Sequence, residues 1–534
     1  MNGKSHGVTK NLKVICLILS SLLFFSCSMK NKQIELIRQD ADRLIKAQSE
    51  MGYASWTEGA VSNQDSLYKA YEHLFTKENI QVVRQAEEKE KDPVEKKALS
   101  YLRLYLMGEY IAKQTAALYD QLENKQAQAK VKVNGKEIPF RQIAVLISNE
   151  KDQSKRRQLY TAQDSFLDSL NVIYGEMENF YHTQAKELGY NSYNEFAQDL
   201  KSVDLESFKP VVQDFLDKTK GIYEKLLAEF LQKNLKLTPY NFYRFDVAAL
   251  LRQGEFDKYF PKEKLIATVK ATYLGLGIDM DKQPNLKIDA EEREKKNPRA
   301  VCFAVDVPKD VRLSIKPIGG VQDYAALFHE MGHGQHFANA SEKTWEFKYL
   351  GNNTVTENYA FLSEYFLSDP GWIVKHTTMQ ENEMKGFLKA QVFGRLLLVR
   401  RYCTKFLYEL ELHSQNPNAA KIYADYLSSA MGFKKTPSDE KRYLYDVDAN
   451  YYVVDYLRAW FLEAQLKSKL KEKFGENWFE KKESGDYLKS LWAHGNKFTG
   501  EELAPQIGYP AISSEALINE LNQLLGSVQL AGKD

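Results

Sequence analysis

Apolar residues recur three and four positions apart through most of the chain, a spacing that predicts helices. Between Gln33 and about Leu235 it is clearest in SLYKAYEHLF, ALSYLRLYLMGEYIAK and SFLDSLNVIYGEMENFYHTQAKELGY. Pro93 and the pair Asn134-Gly135 punctuate this pattern. VKVNGKEI alternates about Asn-Gly, which favours the tight primed turn, and predicts a small hairpin. The period changes between Asn297 and Pro317, where PRAVCFAVDVPKDVRLSIKP alternates and is rich in valine, as a strand pair should be. Gly319-Gly320 ends the extended segment, VQDYAALFHEMGHGQHFANA returns to helical spacing, and helices resume after Asn353 to about Leu525. No internal repeat or low-complexity linker interrupts the chain. The expected fold is mainly α, with one small β-sheet beside a histidine-bearing helix.

Composition narrows the classes. A chain of 534 residues can build a large core, or two lobes with a cleft between them. Its 43% hydrophobic and 27% charged residues are those of a globular protein, not a disordered one. With 73 basic against 72 acidic residues the net charge is +1, so nucleic acid is not an expected partner.

The amino terminus reads as an export signal. Lys4, Lys10 and Lys13 precede an apolar run from Val14 to Phe25 that is too short to span a bilayer. The run stops at Phe24-Phe25-Ser26-Cys27. Residues 1–27 look like a bacterial lipoprotein signal, with lipid on the Cys27 sulfur as the protein's one membrane contact. An ordinary secretory signal or an uncleaved anchor is the other reading. No later segment is long and apolar enough to cross a bilayer. The soluble body is therefore expected in the cell envelope, in the periplasm or at the outer surface. With Cys16 removed and Cys27 acylated, only Cys302 and Cys403 remain, and the sequence leaves open whether they pair.

Chemistry concentrates in FHEMGHGQHF, which holds three of the nine histidines. On a helix, His329 and His333 project from one face a turn apart, and neutral imidazole nitrogen suits zinc. Glu330 projects about 100° around the helix, where it can reach a water on the metal without being a ligand. This is the H-E-x-x-H arrangement, in which the metal acidifies a water and the glutamate takes its proton. A solvated helix face that happens to carry histidines is the bland alternative.

Such a site needs a third protein ligand and an open position for water. A histidine six places beyond the second ligand, with glycine at the third, is one solution; those positions hold Asn339 and His336, which excludes it. A glutamate from a later helix is the other. GNNTVTENYAFLSEYF offers Glu357, 24 positions after His333, with Glu364 two turns further on. Glu357 also fits a capping box with Thr354.

AVCFAVDVPKDVRLSIKPIGGVQDYAALFHEMGHGQHFAN followed by VTENYAFLSEYF resembles the thimet oligopeptidase and oligopeptidase F family of zinc peptidases. It is similar also to the related angiotensin-converting enzyme family. The specific likeness runs from about Ala300 to Phe366 and includes the pentad, Glu357, Glu364 and His336. The resemblance implies a monomeric, two-lobed helical clam around a deep channel. Residues 28–290 would form part of that channel and 291–534 the catalytic region. One Zn²⁺ per chain would sit on His329, His333 and Glu357, with Glu330 as general base. A short peptide would lie antiparallel along Val301 to Asp306 or Val311 to Ile315, bound through its main chain.

The oxyanion donor in these families is a tyrosine assisted by histidine, in a segment like DVDANYYVVDYLRAW. The converting-enzyme register selects Tyr456; the oligopeptidase register lands on Val454, and Tyr452 stands in reserve. Two departures stand out. No histidine lies between His413 and His494, and Phe303 stands where the converting enzymes carry a histidine. Arg442 or Arg458 could supply positive charge instead. The expected function is an oligopeptidase or peptidyl-dipeptidase; the alternative is a non-catalytic lipoprotein that holds zinc and peptide.

Overall fold

The computed structural model describes residues 8–60 and 63–530, with side chains described for 32–60 and 63–526. The expected lipid-bearing Cys27 and its export segment fall outside the described side chains. The chain is mainly α, with 72% helix and 5% strand. No helix among the described residues is long and apolar enough to cross a membrane.

The elements that position the site are, in order, α1 (Val8–Glu58), β1 (Lys130–Val133), β2 (Lys136–Pro139), α2 (Asp164–Glu187), β3 (Leu286–Asp289), β4 (Val301–Asp306), β5 (Asp310–Ser314), α3 (Val321–Ala338), α4 (Asn353–Glu364), α5 (Glu381–His413) and α6 (Tyr452–Phe474). The expected hairpin is β1–β2, antiparallel, with Asn134 and Gly135 at φ 51° and 79°, as the primed turn requires. The valine-rich stretch forms the antiparallel pair β4–β5. A third strand, β3, joins β5 in parallel and was not apparent from the sequence, since LKID is too short to show a period.

One hydrophobic core draws side chains from Ile34 to Leu525 and is continuous across residue 290. A smaller core, around Phe140, Leu167, Leu170 and Phe245, gathers between the hairpin and α2. In α3 the buried positions Val321, Tyr324, Leu327, Phe328 and Met331 follow the helical period and seat it in the main core. In α4 every residue from Thr354 to Ser363 is buried, so this helix is enclosed on all sides. Asn352 caps it by accepting from the Thr354 N–H at 3.0 Å. Glu357 takes no part in that cap, which removes the capping-box explanation for it. Cys302 and Cys403 are not disulfide-bonded.

Candidate metal centre

A glycine sets the crossing of α3 and α4. A Cβ on Gly332 would overlap the Tyr359 carbonyl oxygen and lie 2.5 Å from the Ala360 Cα, so any larger residue would push the helices apart. At this close approach Glu357, in the same turn of α4, reaches the two histidines. His329 and His333 stand with ring centroids 5.0 Å apart and planes at 81°. Glu357 Oε2 lies 3.3 Å from His329 Nε2 and 3.7 Å from His333 Nε2. Ligands of a tetrahedral zinc, at bond lengths of about 2.0–2.1 Å, sit roughly 3.3–3.4 Å from one another. Glu357 Oε2 stands at or a little beyond that spacing from the two imidazole nitrogens, and all three donors lie within 4.8 Å of one another.

The remaining atoms are arranged to match. His329 Nδ1 faces Glu364 Oε2 at 2.9 Å, and His333 Nδ1 faces Thr356 Oγ1 at 2.7 Å. Those oxygens fix both rings and turn each Nε2 toward Glu357, the usual support of a metal-bound imidazole. Glu357 Oε1 accepts from the Tyr452 hydroxyl at 2.7 Å, whereas its buried Oε2 accepts no hydrogen bond. A buried carboxylate oxygen without a donor asks for a cation. The donors are largely enclosed, with 16% of the His329 side chain, 12% of His333 and 5% of Glu357 exposed.

The titration directions agree with a centre that draws positive charge. Burial alone would lower His329, but the carboxylates of Glu357 and Glu364 facing its two nitrogens outweigh it and hold its pKa well above the ordinary value. Burial prevails at His333, whose pKa is lowered despite the charge of Glu357. Burial would raise Glu357, yet the charge of His333 and the close approach of His329 hold it below the usual carboxylate range. Glu357 is therefore ionised, and the point between the three donors favours a cation. His336 is a different case. It is fully buried, its Nε2 donates to the Gly495 carbonyl at 3.0 Å, and burial lowers its pKa to about 4. It is a packing residue, neutral at ordinary pH.

Glu330 accepts the Cys302 N–H at Oε2, 2.8 Å away. The carboxylate therefore sits against β4, the edge strand of the sheet. The strand order is β3-β5-β4, which corrects one expectation: β5 has neighbours on both edges, so Val311 to Ile315 cannot pair with a peptide. Only Val301 to Asp306 remains. Phe303 packs edge-on to Tyr53 of α1, with centroids 5.5 Å apart.

The tyrosines reach the centre from the start of α6. Buried Asp455 fixes that helix by bonding Lys201 Nζ at 2.5 Å and the Thr354 hydroxyl of α4 at 3.0 Å. Tyr452 then bonds Glu357, and Tyr456 stands beside it with ring centroids 4.9 Å apart, against Phe361 and Trp460 at 5.7 Å each. Burial, then the charge of Glu357, raises the pKa of both phenols, so both stay protonated and can donate. Val454 is buried in the core. Neither arginine meets the cluster. Arg442 donates to the Ser438 and Tyr160 carbonyls, and Arg458 to the Lys201 carbonyl and Glu501. A cavity of about 910 Å³ lies elsewhere, lined by Asp214, Lys218, Lys471 and Tyr509 among others, and includes none of the candidate residues.

Sequence reasoning missed Gly332, Thr356, Asp455 and the Cys302 amide. The glycine inside the pentad was the one legible signal. No family model matches the chain, and no curated protein matches it.

Proposed function

We propose that the protein is a zinc metallopeptidase that hydrolyses short peptides, built as a two-lobed helical clam and tethered in a bacterial envelope by lipid on Cys27. The observation that carries this reading is the grouping of His329 Nε2, His333 Nε2 and Glu357 Oε2, with the carboxylate oxygen 3.3 and 3.7 Å from the two nitrogens and Glu330 at the neighbouring strand edge. The resemblance of Ala300 to Phe366 to zinc oligopeptidases supports it.

Zinc on those three donors would supply Lewis acidity, polarising the scissile carbonyl and making a water acidic near neutral pH. The peptide adds to the open edge of β4, which uses main-chain groups and makes few demands on side chains. Glu330 takes the proton of the attacking water and hands it to the leaving nitrogen. One of its oxygens is anchored by the Cys302 amide, and the other is left for that proton. Protonated Tyr456 donates toward the developing oxyanion, with Tyr452, bonded to Glu357, in reserve; a donor of this kind is worth on the order of 3 kcal/mol.

Glu330→Gln tests the reading. It should keep its zinc and lower turnover of a quenched short peptide by roughly 1,000-fold. Turnover equal to the wild type rejects Glu330 as the base. Wild-type protein that binds no zinc rejects the centre itself.

A further inference from the structure

A second group of imidazole and carboxylate donors lies apart from this centre. Glu178 and His182 are four residues apart on α2 and so share a face, and His413 is the last residue of α5. Their donor atoms all lie within 4.8 Å of one another, and Glu178 Oε2 is 3.1 Å from His413 Nδ1. Three features mark the group as more than a packed surface. His413 is only 3% exposed, and its Nδ1 makes no hydrogen bond. Glu178 Oε2, facing it, is also buried and without a hydrogen bond. The cluster lies at the carboxyl end of a 33-residue helix, whose dipole favours a cation there. The nearest like charge on α2, Lys186, is exposed and free to turn to solvent.

We propose that Glu178, His182 and His413 form a second divalent-cation site, of the imidazole-preferring class of zinc and cobalt, which fastens α2 to the end of α5. Two imidazoles and one carboxylate suit that class rather than calcium or magnesium, which take oxygen donors. Small side-chain shifts suffice to reach tetrahedral spacing of roughly 3.3–3.4 Å, since Glu178 Oε2 and His413 Nδ1 stand slightly inside it and no two donors are more than 4.8 Å apart. With 17% of the Glu178 side chain exposed, water can complete the coordination.

The position suggests what the clamp holds. The His413 ring lies 5.0 Å from that of Tyr451 and 4.6 Å from that of Tyr193. Tyr193 donates to Asn450 Oδ1 at 3.1 Å. Asn450 and Tyr451 both sit in the left-handed region, at φ 53° and 54°, a conformation that costs non-glycine residues energy and needs surrounding support. They lead directly into Tyr452. A cation at His413 therefore braces the strained segment that aims the tyrosines of α6.

The site stands independently of the peptidase reading, and metal counting separates the two. The full chain, stripped with chelator, is titrated with Co²⁺ alone and followed by its visible absorption and by metal content after desalting. Wild type should take two equivalents, and Glu178→Gln and His333→Ala one each. Should Glu178→Gln fail to fold, as judged by circular dichroism, His182→Asn carries the same expectation. One wild-type equivalent that His333→Ala loses and Glu178→Gln keeps overturns the second site and spares the first. One equivalent lost by Glu178→Gln and kept by His333→Ala does the reverse. Two equivalents retained in Glu178→Gln also overturn the proposal.

Discussion

The two glutamate–histidine clusters differ in how their third donor arrives. At the α3–α4 crossing, two histidines from one helix meet a glutamate from the next, brought in by Gly332, with Glu357 24 positions after His333. In the Glu178 cluster, the pair on α2 waits for His413, 231 positions after His182, delivered by the end of a long helix. The first has each imidazole fixed by a partner at Nδ1, through Glu364 and Thr356. In the second, His413 Nδ1 makes no hydrogen bond and faces only Glu178, another member of the cluster, at 3.1 Å. A set of donors held from behind is preorganised for chemistry; one held only by its helices is arranged to fasten them.

The sharpest way to break this contrast is to change the crossing itself. Gly332→Ala places a methyl group onto the Tyr359 carbonyl and the Ala360 Cα, both backbone atoms that cannot rotate aside. The expected cost is about 3 kcal/mol of stability, with loss of zinc at the first centre, read by thermal melting and metal analysis. A variant that melts like the wild type and keeps its zinc would show that the helices have slack there, and that glycine does not set the geometry.

Next in size is the difference between ligand and support. Glu357→Ala removes a donor and should leave no zinc after dialysis against a weak chelator. Glu364→Ala removes only the partner of His329 Nδ1 and should weaken zinc binding roughly 10- to 100-fold. Equal retention in the two variants would mean that the third ligand is misassigned. An intermediate expectation applies to Thr356→Val, which removes the smaller and uncharged partner of His333.

Sequence pattern made the first cluster visible because its parts are local. His329, Glu330 and His333 lie in one helical turn, and Glu357 heads the next long helical run, so periodicity alone suggests their faces. The hairpin at Asn134-Gly135 and the strand pair were legible for the same reason: a turn residue and an alternation carry their own geometry. What stayed hidden depends on other segments. The edge position of β4 is decided by β3, a four-residue strand without a readable period. The aim of Tyr452 is decided by Asp455 meeting Lys201, 254 positions away. The Glu178 cluster was invisible because a glutamate and a histidine four apart on a helix are commonplace until a third donor is folded against them.

The smallest effects on zinc should come from the two tyrosines, and they divide their roles. The Tyr452 hydroxyl is committed to Glu357 Oε1, so it acts on the ligand. Tyr456 packs its ring on Phe361, Trp460 and Tyr452, and the charges of Glu357 and Glu330 both act on its phenol. Unlike Tyr452, it makes no hydrogen bond to Glu357, and its ring stands beside the tyrosine that does. Tyr456→Phe is expected to lower kcat by roughly 100-fold while zinc content stays whole, the signature of a lost oxyanion donor. Tyr452→Phe should instead loosen zinc about 10-fold and change kcat little once zinc is saturating. If the two variants exchange these signatures, the oligopeptide's oxyanion is met by Tyr452, and the bond to Glu357 must open during each turnover to free it.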